Sequence, residues 1–243
     1  MGHRQFALIA GLLAIATPAQ GAHGTLELRW NSCDGPIEHC ATAEGPNTLY
    51  ASVIGIDQPH RGYEVQLILG DPTTLTVPDA WRFDGTGCQG SDAVQVDHLP
   101  PADLATACPA FQGTAFSEVY KGVQLVPDYL PPQYARTLLW LFLANQYPSG
   151  QPAADPAKRY HLVRFVFGHS RSVSGASTPG VACGGLETAL QFRAIAAGYL
   201  DPVGNEHYWS QEPNPLTSEV RGACVPVAAV NSTWGAIKGQ YRR

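Results

Sequence analysis

Apolar and polar residues alternate one for one along several short stretches of the chain. Leu26, Leu28 and Trp30 stand in one phase, Glu27 and Arg29 in the other. Leu49, Ala51 and Val53 share one phase of the stretch from Thr48 to Ile56. After the Pro59- and Gly62-containing turn, Tyr63, Val65, Leu67 and Leu69 repeat the pattern. A period of two places each set on one face of a half-buried strand. Farther along, Val163, Phe165 and Phe167 oppose Leu162, Arg164 and Val166, and Leu190, Phe192 and Ala194 alternate with Gln191, Arg193 and Ile195. Joined by a Gly/Ser-rich loop, these two runs read as a central hairpin over Arg159–Gly198. Leu138 to Leu143 is the most apolar run. Its aromatic content and the turn signals after it predict a core strand, followed by a loop from Tyr147 to Pro156.

Between these runs the chain is punctuated by proline. Pro78, Pro100, Pro101, Pro109, Pro127, Pro131 and Pro132 exclude any long helix from the region around 71–133. Short strands are expected at Trp81–Phe83, Val94–Val96 and Phe116–Tyr120 inside an otherwise ordered coil. The segment Trp234–Lys238 with Tyr241 is expected to dock on the sheet. Many short alternating strands, Pro/Gly turns and no βαβ rhythm predict an all-β fold, an antiparallel β-sandwich with long disulfide-tied loops. No composition shift divides residues 22–243, which read as one domain.

Composition narrows the setting. The chain has 243 residues, of which 44% are hydrophobic and 14% charged, enough to fill one core. A formal net charge of −5 provides no field favouring nucleic acid or an anionic membrane. Residues 1–21 carry the pattern of a signal peptide: Arg4, an apolar run from Phe6 to Ala16, then Ala19 and Gly21 at the positions preferred for cleavage. The mature protein is therefore expected to be secreted or periplasmic, off the membrane, and monomeric. Its six cysteines, Cys33, Cys40, Cys88, Cys108, Cys183 and Cys224, are an even set that suits an oxidising compartment. Pairing of neighbours in order gives Cys33–Cys40, Cys88–Cys108 and Cys183–Cys224. No CxxC spacing suggests zinc.

Four groups of residues raise the question of chemistry. Gly168-His169-Ser170-Arg171-Ser172 lacks the second glycine of a nucleophile elbow, and no helix-forming stretch follows. Asp201 and His207 come in the right order for a serine hydrolase built on Ser170, but with little chain around them. His23 would ligate copper in a histidine brace if cleavage fell after Ala22, although cleavage after Gly21 fits better and leaves Ala22 in front of it. Asp79, Asp84 and Asp92 lie in or near a Gly-rich loop with oxygen ligands suited to calcium, at spacings unlike an EF-hand. Trp81, Tyr147, Tyr208 and Trp209 sit in expected loops, where aromatic side chains either stack on a ligand or anchor the loop. Asn231-Ser232-Thr233 fits a glycosylation sequon.

The run Leu28-Arg29-Trp30-Asn31-Ser32-Cys33, the loop cysteines, and Thr233–Lys238 with Tyr241-Arg242 together resemble a group of secreted bacterial β-sandwich proteins. Their sheet pattern is similar to that of cohesin or immunoglobulin-like modules. The resemblance implies a fold and a location, and it lends no activity, no cofactor and no catalytic residue. The sequence therefore favours a non-catalytic binding or structural module whose partner is a carbohydrate or an extracellular protein. The aromatic residues Trp81, Tyr147, Tyr208 and Trp209 are its candidate contacts.

Overall fold

The computed structural model describes residues 24–43, 45, 47–70, 77–84, 87–111, 118–127, 137–172, 182–209 and 217–221. The expected signal peptide, His23, Cys224, the sequon and the Trp234–Lys238 segment lie outside them. Among the described residues there are eleven strands: β1 (Thr25–Trp30), β2 (Glu38–Cys40), β3 (Asn47–Ile54), β4 (His60–Gly70), β5 (Val94–Asp97), β6 (Glu118–Pro127), β7 (Thr137–Gln151), β8 (Arg159–Phe167), β9 (Leu190–Leu200), β10 (Glu206–Tyr208) and β11 (Thr217–Arg221). Two short 3₁₀ turns, Asp79–Trp81 and Ser91–Ala93, are the only helical pieces among them.

The strands form two sheets. One has the order β1-β3-β8-β5; the other runs β2-β11-β9-β4-β7-β6, with β10 added beside β9. Every pairing is antiparallel except the edge pair β2–β11, which is parallel. The expected β-sandwich is what the structure shows. The Arg159–Gly198 hairpin is not: β8 lies in the first sheet between β3 and β5, and β9 in the second between β11 and β4. Between the two strands, an isolated bridge joins Ser172 to Cys183.

The core fills the space between the sheets. Leu26, Leu28 and Trp30 from β1, Leu49, Ala51 and Val53 from β3, and Val163, Phe165 and Phe167 from β8 are all buried, as are Tyr63, Val65, Leu67 and Leu69 from β4 and Phe192, Ala194, Ala197 and Tyr199 from β9. One strand face buried and the other partly wet is the alternation read from the sequence. The Tyr63 hydroxyl donates to the Leu162 carbonyl at 2.6 Å and ties the two sheets together.

Three local expectations are corrected. Trp81 is not in a strand but ends a 3₁₀ turn, set by Pro78 at its start, and its ring enters the core beside Phe83, Phe167 and Phe192. Tyr147 is not in a loop: β7 continues to Gln151. Pro148 is accommodated because the β4–β7 ladder jumps from Gln146 to Gln151, so the missing amide falls in the irregular part. The cysteine pairing also differs. The bridges are Cys33–Cys108 and Cys88–Cys183, over separations of 75 and 95 residues, and Cys40 is also disulfide-bonded, to a residue outside the described set. Nearness in sequence does not decide which sulfurs meet; the sheets do, by stacking the segment around 98–108 over the outer face of β3 and β8.

Candidate functional site

Buried aromatic residues first remove candidates. Trp81 is fully buried, and Trp209 is 3% exposed and packs on Tyr63, Phe111 and Tyr199. Neither indole is available for stacking on a ligand, so an exposed platform at these two positions is ruled out. They are loop anchors, in the role that large apolar side chains take when a loop closes over a core. Tyr208 differs: it is 49% exposed.

Tyr208 lies on a cleft of about 130 Å³ formed by β4, β9 and β10, lined among others by Glu64, Gly198, Glu206 and His207. The register explains the arrangement. Tyr208 pairs with Gly198, and Gly198 with Glu64, so the three stand in one row across the sheet. On β4 Glu64 alternates with buried Tyr63 and Val65, which puts it on the outer face. Gly198 has no side chain to fill the space between them, and a Cβ there would lie 2.3 Å from the His207 carbonyl oxygen. Glycine is therefore what lets β10 approach β9 and keeps the cleft open.

The electrostatics of the cleft are acidic. The Tyr208 hydroxyl donates to Glu206 Oε2 at 2.8 Å. Desolvation, that bond and the charges of Glu206 and Glu64 push the Tyr208 phenol up to about 12. Burial raises the Glu64 carboxyl, a hydrogen bond with Gln66 opposes the shift, and the like charge of Glu206 adds to it. Two carboxylates at one end of an aromatic plate make a place where positive charge is stabilised.

Behind the cleft the turn after β9 is closed by hydrogen bonds to Asp201. Asp201 accepts from the backbone of Val203 and Asn205, from the Asn205 side chain, and pairs with His207 Nε2 at 3.2 Å. Desolvation works against these bonds, but they hold the Asp201 carboxyl down to about 2. The His207 ring stacks on Tyr199 with centroids 5.1 Å apart.

This placement bears on the hydrolase reading. Asp201 and His207 brace the edge of the second sheet, whereas Ser170 is exposed just past the end of β8 in the first. The residue of that motif that is built in is His169, buried, with Nδ1 3.0 Å from the Ala80 carbonyl and 3.3 Å from Ser172 Oγ. The calcium reading fares similarly. Asp84 is buried and engaged by both Arg82 nitrogens at 3.1 and 3.0 Å, so its oxygens are already neutralised. Among the described residues one group has metal-ligand geometry, Cys33, Cys108 and His161, with donor atoms within 4.8 Å of one another and both sulfurs joined in a disulfide.

Sequence reasoning picked out Tyr208 but missed Glu64, Gly198 and Glu206. The available signal was a lone glutamate between two core positions of a strand, and a glycine inside another.

No protein-family model matches the sequence, and no curated protein matches it. Solved structures to which the fold is similar include a cohesin module from a family 33 glycoside hydrolase of Clostridium perfringens ATCC13124. The identity is 10% and the TM-score 0.37, over 83% of this chain and 97% of that one. A second is the second type II cohesin module of the ScaA scaffoldin adaptor of Acetivibrio cellulolyticus, at 11% identity and TM-score 0.30, over 78% and 84%. The fold assignment rests on the two sheets themselves.

Proposed function

We propose that the protein is an exported, non-catalytic binding module that docks on a protein partner through the outer edge of its second sheet. The cleft takes one basic side chain of that partner. The observation that carries this reading is the row Tyr208–Gly198–Glu64 with Glu206 beside it. At about 130 Å³ the cleft is well below the roughly 300–1,000 Å³ of a small-molecule pocket, and it suits a single lysine or arginine inserted from a larger surface. The ring of Tyr208 would lie against the cation while Glu64 and Glu206 accept its hydrogen bonds. Export is supported by the two long-range disulfides, which persist in oxidising compartments.

The test is calorimetric titration of the folded, oxidised protein with blocked tripeptides carrying a central arginine, lysine or alanine, and with neutral oligosaccharides. Binding of the basic peptides alone, weakened about ten-fold by Tyr208→Ala or by Glu64→Gln, supports the reading. Binding of the oligosaccharides alone would replace it with a carbohydrate module, and binding of none of these would overturn it.

A further inference from the structure

We propose that Cys33, Cys108 and His161 form a thiol-gated site for a thiophilic divalent cation of the zinc type, closed while the cysteines are oxidised and opened by a dithiol reductant. The site is closed to solvent: the three residues are 3%, 1% and 0% accessible. Cys33 follows β1, Cys108 closes the turn that starts near Leu104, and His161 comes from β8. A bulge in the β3–β8 ladder between Ala51 and Ser52 shifts the alternation of β8. It pairs His161 with Ser52 and turns the imidazole away from the core row of Val163, Phe165 and Phe167, toward the covering segment. There it meets Tyr50 edge-on at 5.8 Å.

The backbone that carries the imidazole is held independently of the disulfide. The His161 main-chain N–H donates to the Pro109 carbonyl at 2.8 Å, and the Phe111 main-chain N–H donates to the His161 carbonyl at 3.0 Å. Neither ring nitrogen has a hydrogen-bond partner of ordinary geometry, although the Asp97 backbone lies near enough to be felt weakly. Fully buried polar side chains are nearly always satisfied, so an orphaned imidazole beside two sulfurs calls for a ligand. A disulfide sulfur is a poor hydrogen-bond partner; a metal held by both thiolates would use one ring nitrogen fully.

The chemistry balances in two steps. A dithiol attacks the Cys33–Cys108 bond, which breaks as it takes up two electrons and two protons, and the reductant leaves as a cyclic disulfide. The cation then displaces both thiol protons to solvent and forms two metal–sulfur bonds and one metal–nitrogen bond to neutral imidazole. Two thiolates cancel the charge of a divalent ion, so the buried site stays neutral. Tetrahedral zinc with bonds of about 2.3 Å to sulfur and 2.0 Å to nitrogen needs donor separations of roughly 3.5–3.8 Å. Atoms already within 4.8 Å reach these by small shifts as the two sulfurs part. The fourth position is left for water or an incoming donor.

The test uses the mature chain, oxidised or reduced with dithiothreitol and desalted without air, titrated with Co²⁺. The reduced protein should take about one Co²⁺ per chain, with a sulfur-to-cobalt charge-transfer band that Zn²⁺ abolishes, and the oxidised protein should show none. His161→Ala should weaken binding at least about ten-fold, and Cys33→Ser should remove the band. Reduction also opens Cys88–Cys183 and the bridge of Cys40, so the Cys88→Ala/Cys183→Ala variant and the Cys40→Ala variant should each retain the band. If the variants fail to fold, wild-type alkylation decides: Zn²⁺ should slow modification of Cys33 and Cys108 but not of Cys88 and Cys183. No band in the reduced protein, a band unchanged by Cys33→Ser and His161→Ala, or equal alkylation of all six cysteines would overturn the site. So would a reduced chain that unfolds and is not restored by Zn²⁺.

Discussion

Three histidines make the stability of this sandwich depend on pH between about 6.5 and about 4. His60 stacks on Phe111 with ring centroids 4.1 Å apart, His161 lies under the Cys33–Cys108 segment, and His169 packs against Trp81 and Phe83. Each is essentially inaccessible to water. Burial is the main cause that lowers all three from 6.5 to about 4; for His161 the Arg164 charge adds to it, and backbone contacts partly oppose it at each. The folded pKa is below the unfolded one, so between these values the unfolded chain binds more protons. The stabilisation is full above about pH 6.5 and is lost as pH falls toward 4. From about pH 7 to about pH 5 each imidazole accounts for about 2 kcal/mol, and the three together for about 6 kcal/mol. That is a large part of the roughly 5–15 kcal/mol of an ordinary domain. Urea unfolding of the oxidised protein, followed by tryptophan fluorescence at a series of pH values, measures it directly. The midpoint should fall steeply over that range at constant m-value, and His60→Phe should remove about a third of the dependence. A flat stability between pH 7 and pH 5, with loss only where carboxylates protonate, would refute the reasoning.

Non-reducing peptide mapping should recover Cys33–Cys108 and Cys88–Cys183 and, by elimination among the six cysteines, Cys40–Cys224; recovery of any neighbour-in-order pair would contradict the fold. Replacing Cys33 and Cys108 together by alanine should cost about 4 kcal/mol in denaturant melts, as expected for a closed loop spanning 75 residues. Arg82→Ala removes the ion-pair partner of the buried Asp84 carboxylate and should cost about 3 kcal/mol at neutral pH, with part of the loss recovered by adding Asp84→Asn. Gly198→Ala places a Cβ against the His207 carbonyl and should cost about 1–3 kcal/mol while abolishing binding of a basic peptide.

Alternation carried much of the fold. Thr25–Trp30 is a strand with the residues on the faces that its pattern implies, and the phases of Leu49–Val53 and Tyr63–Leu69 are those of the core. What alternation does not contain is which strand pairs with which. β8 and β9 are close in sequence and strongly patterned, yet they belong to opposite sheets, because β8 pairs with β3 and β5 while β9 pairs with β11 and β4. The same gap explains the disulfides: Cys33 and Cys40 flank a tight turn, but tertiary stacking brings Cys33 to Cys108 instead. The bulge at Ala51/Ser52 hid His161, since a strict period of two puts it on the core face with Val163. At the cleft, Tyr208 was legible as a loop aromatic. Glu64 and Gly198 became meaningful only when the register set them side by side.

The most direct test of the binding face is a heteronuclear NMR titration of the oxidised protein with the arginine tripeptide. The account predicts saturable shifts confined to Tyr208, Glu206, Gly198, Glu64 and their strand neighbours, all lost in Tyr208→Ala. Shifts that cluster elsewhere, or that persist unchanged in that variant, would contradict it.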